Sequence, residues 1–149
     1  MKISTRGQYG LEALVYIALN SSAGPVSIRN IASYCNISEA YILQIFLVLR
    51  KAGIVSSIRG AQGGYVLSRK PSEINVKQVL EVLEGPLTPV ACIVKECEEP
   101  CVRYDICSTR LLWEMIRKRL DSLACSITVA DLVEHFHAMD AMQNPDYCI

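Results

Sequence analysis

The sequence predicts a mostly α-helical chain carrying one small β-hairpin, and three observations predict it. Apolar residues recur at helical spacing through the first fifty residues and again at 76 to 84, 109 to 123 and 129 to 136. Two β-rich runs flank a glycine-rich tip at 54 to 68. Between the helical stretches, four of the seven cysteines crowd into the sixteen residues from Cys92 to Cys107. With 149 residues, 51% of them hydrophobic and 20% charged, the chain can bury a core as one domain or divide into a small domain plus an oligomerisation element. A mean hydropathy of +0.25 exceeds what an ordinary monomer needs, so part of the surplus is expected in a subunit interface. No apolar run reaches the roughly 18 residues that span a bilayer, and MKISTRGQYG lacks the apolar region of a signal peptide. The expectation is a cytoplasmic protein with no membrane partner.

Residues 5 to 19 read as an amphipathic helix with Thr5 as its N-cap and Leu11, Leu14, Val15, Ala18 and Leu19 on one face. After the break SSAGP, Ser27 caps a second helix with Ile28, Ile31 and Ala32 inward. Ser38 then caps a third helix to about Ala52, buried through Ile42, Ile45, Phe46 and Leu49 and stopped at Gly53. Two short helices joined by a tight turn, followed by a hairpin of Ile54 to Ile58 and Tyr65 to Leu67, spell a winged helix-turn-helix. At the hairpin tip, Arg59 stands beside Gly60, Gly63 and Gly64, which would let the backbone approach a narrow groove. Asn75 caps a fourth helix with Val79, Leu80 and Leu83 inward and Gly85 as its stop. Pro86 and Pro89 are expected to detach the cysteine stretch from this core. A long helix from Thr109 to Leu123 shows Leu112, Ile116, Leu120 and Leu123 along one side with Trp113 beside them, a stripe that wants a two-fold partner. A last helix starts at Thr128 with Val129, Leu132, Val133 and Phe136, and no pattern is readable after Met139. The division expected is 1–85 for the winged helix, 86–108 for a cysteine loop and 109–149 for a dimerisation helix, final helix and tail.

Charge supports a nucleic-acid partner even though the net charge is zero. Residues 1 to 70 hold eight Lys/Arg against Glu12 and Glu39, a local balance of +6, and residues 71 to 149 carry the compensating −6. That asymmetry suits an anion-binding front and a separate sensing or assembly back. On the third helix Glu39, Ala40, Tyr41, Leu43, Gln44 and Leu47 fall between the buried positions. Gln44 is the expected base reader, because its amide can donate and accept together against adenine N6 and N7. Tyr41, Ser38, Arg50 and Lys51 are expected on phosphates, which position without specifying sequence, and Arg59 with Gly60 on a minor groove. Leu43 and Leu47 cannot hydrogen-bond to base edges. They either touch thymine methyls or pack against the first helix.

Thiolates are soft ligands, and in a reducing compartment clustered cysteines more often hold metal than form disulfides. The gaps C-x4-C-x3-C-x5-C lack the C-x2-C knuckle of a structural zinc site, so an iron-sulfur cluster is the preferred occupant, ahead of zinc and of unliganded or disulfide-forming thiols. Whether it is [2Fe-2S] or [4Fe-4S] is not readable from spacing. Cys35 and Cys125 are read as small buried hydrophobes. His135 and His137, two apart on one helix, point to different faces and cannot chelate one ion. No nucleophile paired with a base, phosphate-binding glycine loop or acid pair is present, so the chain is not read as an enzyme.

MKISTRGQYGLEALVYIAL, the segment IRNIASYCNISEAYILQIFLVLRKAGIVSSIRGAQGGYVLSR, and a cysteine loop followed by LLW together resemble the IscR/NsrR/CymR family of bacterial winged-helix transcription regulators. The resemblance runs to about Val133, and LRKAGIVSSIRGAQGGY is its most specific part. It implies a homodimer on a palindromic operator, with DNA affinity set in many members by an iron-sulfur cluster in this loop. On the family pattern Cys107 takes the place of the last cluster cysteine, Cys101 the one before it and Cys92 the first. Cys97 departs from the pattern, as an alternative second ligand or as the fourth. Arg110 stands where one branch has a ligand histidine. The CymR branch works without a cluster, so a thiol- or metabolite-responsive regulator of the same fold is the alternative.

Overall fold

Helix α1 (Thr5–Leu19) lies at the centre of the molecule, packed by α2 (Ile28–Cys35), α3 (Glu39–Lys51), α4 (Val76–Glu84) and α6 (Val129–Gln143). The computed structural model describes residues 3–94 and 101–143. Within them the order is α1, α2, α3, strands β1 (Val55–Ile58) and β2 (Gly64–Leu67), α4, α5 (Arg110–Ser126) and α6.

Ser4, not Thr5, caps α1: its Oγ accepts from the Arg6 amide at 3.1 Å, and Thr5 is already helical. The buried face also departs from the expected stripe. Gly7, Gly10, Ala13, Leu14, Ile17 and Ala18 are buried, whereas Leu11, Val15 and Leu19 are half-exposed. A helix covered on several sides buries more than one stripe, and where α4 comes closest the sequence uses glycine. A Cβ on Gly10 would overlap Leu83, and one on Gly7 would lie 2.6 Å from a Glu84 carboxylate oxygen.

Glu84, the last residue of α4, completes the N-terminus of α1. Its carboxylate accepts from the Gly7 amide at 2.8 Å and from the hydroxyl and amide of Ser4, so it meets donors that a helix start leaves unpaired. Glu84→Ala is expected to lower stability by about 1 to 2 kcal/mol, with Glu84→Gln recovering part of it. Urea unfolding followed by circular dichroism measures both, and an unchanged midpoint for the alanine variant would show that water replaces the carboxylate at no cost.

The remaining elements follow their local signals. Asn75 and Gln78 form a reciprocal capping box at the start of α4, which buries Val79, Leu80 and Leu83. The hairpin pairs antiparallel from Val55 with Leu67 to Ile58 with Gly64, and Val26 adds a bridge to Tyr65. Backbone bonds from Val76 to Ile127 and from Val129 to Ile74 fasten the α5–α6 joint to the base of α4. Val129 is wholly buried in the same core as Phe46 and Leu14. Helix α6 continues past Met139 to Gln143.

The stretch after Gly85 is anchored rather than detached. Leu87 is buried with Leu80 and Ala124, and Ile93 is buried in a short turn, Ala91–Ile93. The two prolines set the path of this segment, and its apolar side chains still find partners on α4 and α5. Helix α5 has one fully buried residue, Ala124, in its seventeen, and Cys125, expected inside, is exposed because it follows Ala124 onto the outer side.

Candidate functional site

Helices α2 and α3 meet at 110°, within the range of a helix-turn-helix. Asn36 makes the corner in the left-handed conformation at φ 53°, which asparagine tolerates better than most side chains. Ser27 and Ser38 cap the two helices through the amides of Asn30 and Tyr41. In α3 Ile42, Ile45, Phe46 and Leu49 are fully buried. The phase is therefore the expected one, and Leu43 and Leu47, 40% and 55% exposed, lie outside the buried core. Gln44, Arg50 and Lys51 are exposed beside them.

Tyr41 sits lower on the helix flank than its neighbours. Half-buried, it places its hydroxyl 3.1 Å from that of Thr5 and its ring edge-on to Tyr9. The wing is held to α3 by Phe46 against Tyr65, centroids 4.8 Å apart, and by Arg50, which donates to Ser57 Oγ at 3.3 Å. Arg59 and Gly60 are exposed at the tip, where Gly60 takes φ 123° with open space around it. Gly63 and Gly64 serve the hairpin itself. A Cβ on either would run into backbone, that of Ile58 and Gly60 for the first and of Val26 for the second.

The second constellation gathers Cys92, Cys101 and Cys107 around one pocket, completed by Ile93, Tyr104, Arg110 and Trp113. Cys97 lies outside the described residues. Cys107 lies three residues before the first residue of α5. Its sulfur is 3.4 Å from Thr109 Oγ1, and that same oxygen accepts from the indole N–H of Trp113 at 3.2 Å. With its oxygen engaged by Trp113, the Thr109 hydroxyl is free to donate to a Cys107 thiolate. The hydrogen bond from Thr109, then backbone donors and the charge of Arg103, hold the Cys107 thiol below its ordinary range. Cys35 is the contrast: burial and the nearby Glu12 carboxylate push its thiol up to about 11.

Arg110 donates to the Tyr104 carbonyl at 3.1 Å, stacks 4.6 Å over the Tyr104 ring and pairs with Glu114 at 3.4 Å. A guanidinium offers no lone pair, so it walls the pocket and is no ligand. Thr109, Tyr104 and Ile93 escaped the sequence reading. The only signal for them was proximity to Cys107 and Cys92, because neither hydroxyl nor ring type marks a thiolate partner by spacing. Arg117 ties the pocket floor to α5 by donating to the Ile93 carbonyl at 2.9 Å, and Asp121 continues to Lys77 of α4 at 3.4 Å. Among the described residues no three Cys, His, Asp or Glu side chains converge closely enough to hold a metal ion as they stand. Three thiols on one pocket are nonetheless a donor set suited to a soft metal or an iron-sulfur cluster, and His135 and His137 take no part in it.

A family model described as Rrf2, iron-dependent transcriptional regulator, matches residues 3–135. The chain belongs to the Rrf2 family. It is similar to the HTH-type transcriptional regulator CymR of Bacillus subtilis (strain 168), 43% identical over 135 residues that cover 91% of each chain. The solved structure of CymR, the global cysteine regulator of B. subtilis, matches 91% of this chain and 98% of its own with a TM-score of 0.74. Similarity to the regulator IscR of Xenorhabdus nematophila is 34% over 146 residues, 98% of this chain and 87% of that one. The structure of T. potens IscR is 39% identical, covers 91% of this chain and 88% of that one, and has a TM-score of 0.74. This Rrf2 chain is thus a DNA-binding transcription regulator and not an enzyme. No single helix among its described residues is long and apolar enough to cross a membrane.

Proposed function

We propose that this Rrf2 regulator acts in the cytoplasm as a homodimer on a palindromic operator, with its DNA affinity set by an iron-sulfur cluster held by Cys92, Cys101 and Cys107 together with Cys97. The observation that carries the reading is the convergence of three thiols from two segments on one pocket against the start of α5. When bound, such a cluster supplies a redox-active and nitric-oxide-reactive unit that several thiolates share.

The chain's own residues do the rest. Ile93 and Leu87 anchor the loop, and Arg117 and Asp121 pass its position to α4 through Lys77. Glu84 then links the end of α4 to the start of α1. Two recognition helices that match successive major grooves must stand about 34 to 36 Å apart, so small shifts along this route change affinity. On the DNA side Gln44 reads an adenine. Arg50, Lys51 and the hydroxyl protons of Ser38 and Tyr41 meet phosphates, while Arg59, freed by Gly60, enters the minor groove. The test is anaerobic: absorption with iron and sulfide analysis, then titration of one operator duplex with protein carrying the cluster and with protein stripped of it. An affinity difference of at least tenfold is expected, and equal affinities would remove the cluster from control.

A second reading keeps the fold and makes the thiols the sensor. The Thr109-bonded Cys107 in a pocket shared with Cys92 and Cys101 favours it, as does the similarity to a cysteine regulator. Protein that stays colourless and iron-free after anaerobic reconstitution, yet changes DNA affinity with a thiol oxidant, would select this reading.

A further inference from the structure

The outward face of α3 is unusual for the surface of a protein with a basic front. Ala40, Leu43, Gln44 and Leu47 follow one another at i, i+3, i+4 and i+7, and all four are exposed. No charge stands among them, and the charges lie at the helix ends, Glu39 at the start and Arg50 and Lys51 in the last turn. The buried face opposite, Ile42, Ile45, Phe46 and Leu49, is complete, so these side chains are not core residues displaced outward. An apolar stripe with one bidentate amide is chemically matched to one surface in particular. In the major groove an A·T pair presents adenine N6 and N7 on one side and a thymine C5-methyl on the other, and the methyl is the only large apolar group any base pair offers there. The flanking cations, Arg50 and Lys51 at the helix end and Arg59 on the wing, supply the positive rim that a duplex requires.

We infer that Leu43 and Leu47 recognise thymine C5-methyl groups in the operator half-site, flanking an adenine taken by Gln44, so that the part of the site beneath α3 consists of A·T pairs. The inference rests on the DNA-binding reading, with α3 in the major groove. Leu43 and Leu47 are one turn apart, a rise of about 6 Å, which meets methyls about two base steps of 3.4 Å apart.

Deoxyuridine tests this without disturbing anything else, since it differs from thymidine by the methyl alone. A duplex enriched by the full chain from a randomised library provides the operator, and each thymidine in one half-site is then replaced singly. At two positions the affinity is expected to fall about fourfold, the worth of one buried methyl group, with the rest unchanged. Leu43→Ala is expected to abolish the thymine preference at one of them and Leu47→Ala at the other. Both positions lie outside the buried core, so circular dichroism should show both variants folded. Affinities within 1.5-fold for every deoxyuridine duplex would overturn the inference while leaving DNA binding intact. So would leucine variants that lose affinity equally for thymine and uracil, or that change the sedimentation of the free protein, which would place the stripe against a second copy. If no sequence is enriched, the DNA-binding reading fails along with it.

Discussion

Cys107→Ser protein, reconstituted anaerobically beside the wild type, is expected to bind the operator with the same affinity whether or not iron and sulfide have been supplied. Cys107 is the thiol with the most developed surroundings. Thr109 donates toward it, Trp113 fixes Thr109, and the helix start behind it supplies backbone donors. Iron retention against a chelator should fall by more than about 100-fold, since losing an outer partner of a ligand alone costs roughly 10- to 100-fold. Thr109→Val tests that outer partner, with a loss of about tenfold expected. The metal-free form has its own signature. Because the Cys107 thiol titrates below the ordinary range, its thiolate fraction persists as pH falls below that of a free cysteine. Iodoacetamide should therefore still modify it there, and Thr109→Val should move the profile upward. Cys35, raised to about 11 by burial and Glu12, should stay unmodified until the protein unfolds. Trp113 is the only tryptophan in the chain and lines the same pocket, so its fluorescence reports on loading directly. A Cys107→Ser protein that still changes operator affinity on reconstitution would move control away from this pocket.

Helices α2, α3 and α4 were legible because local signals mark them: Ser27, Ser38 and Asn75 as caps, and Gly53 and Gly85 just past helix ends in positive φ. The phase of α3 was legible for the same reason, since a helix with one covered side obeys a single period. Helix α1 defeated that logic. Covered by four other helices, it buries Gly7, Gly10 and Ile17 where a one-sided stripe predicted Val15 and Leu19. The cap at Ser4 was missed because Thr5 is an equally good capping residue. What decides is Glu84, eighty residues away, whose carboxylate binds Ser4. At the cysteine site, residue type and spacing brought out the thiols but not their neighbours. Thr109 and Tyr104 matter through angles that only the turn before α5 defines. Cys125 misled for a related reason. A cysteine's burial depends on which side of a helix meets a partner, and on α5 the side toward α4 belongs to Ala124.

Helix α5 carries the other large effect. Leu112 is 50% exposed and Leu123 59%, and they share a side with half-buried Ile116 and Leu120, while Leu111 and Met115 are exposed next to them. An apolar face of this extent on a helix with a single buried residue is hydrated at a cost of about 1 kcal/mol for each half-covered leucine. A two-fold axis counts every such residue twice, which is why pairing of α5 with its copy is the simplest way to cover it. Leu112→Glu combined with Leu123→Glu should prevent the proposed dimer, because each carboxylate would have to be desolvated against its own symmetry mate. Sedimentation at the monomer mass of 16.5 kDa is expected. Operator affinity should drop by at least about 100-fold, since one half-site contact must then hold without the other. Both leucines are at least half exposed, and because Leu123 also borders the apolar cavity lined by Leu80 and Ala124, helical circular dichroism of the double variant and of Leu112→Glu alone checks that the remaining fold survives. A double variant that stays dimeric would move the interface off α5, and with it the route by which the cysteine loop reaches the DNA.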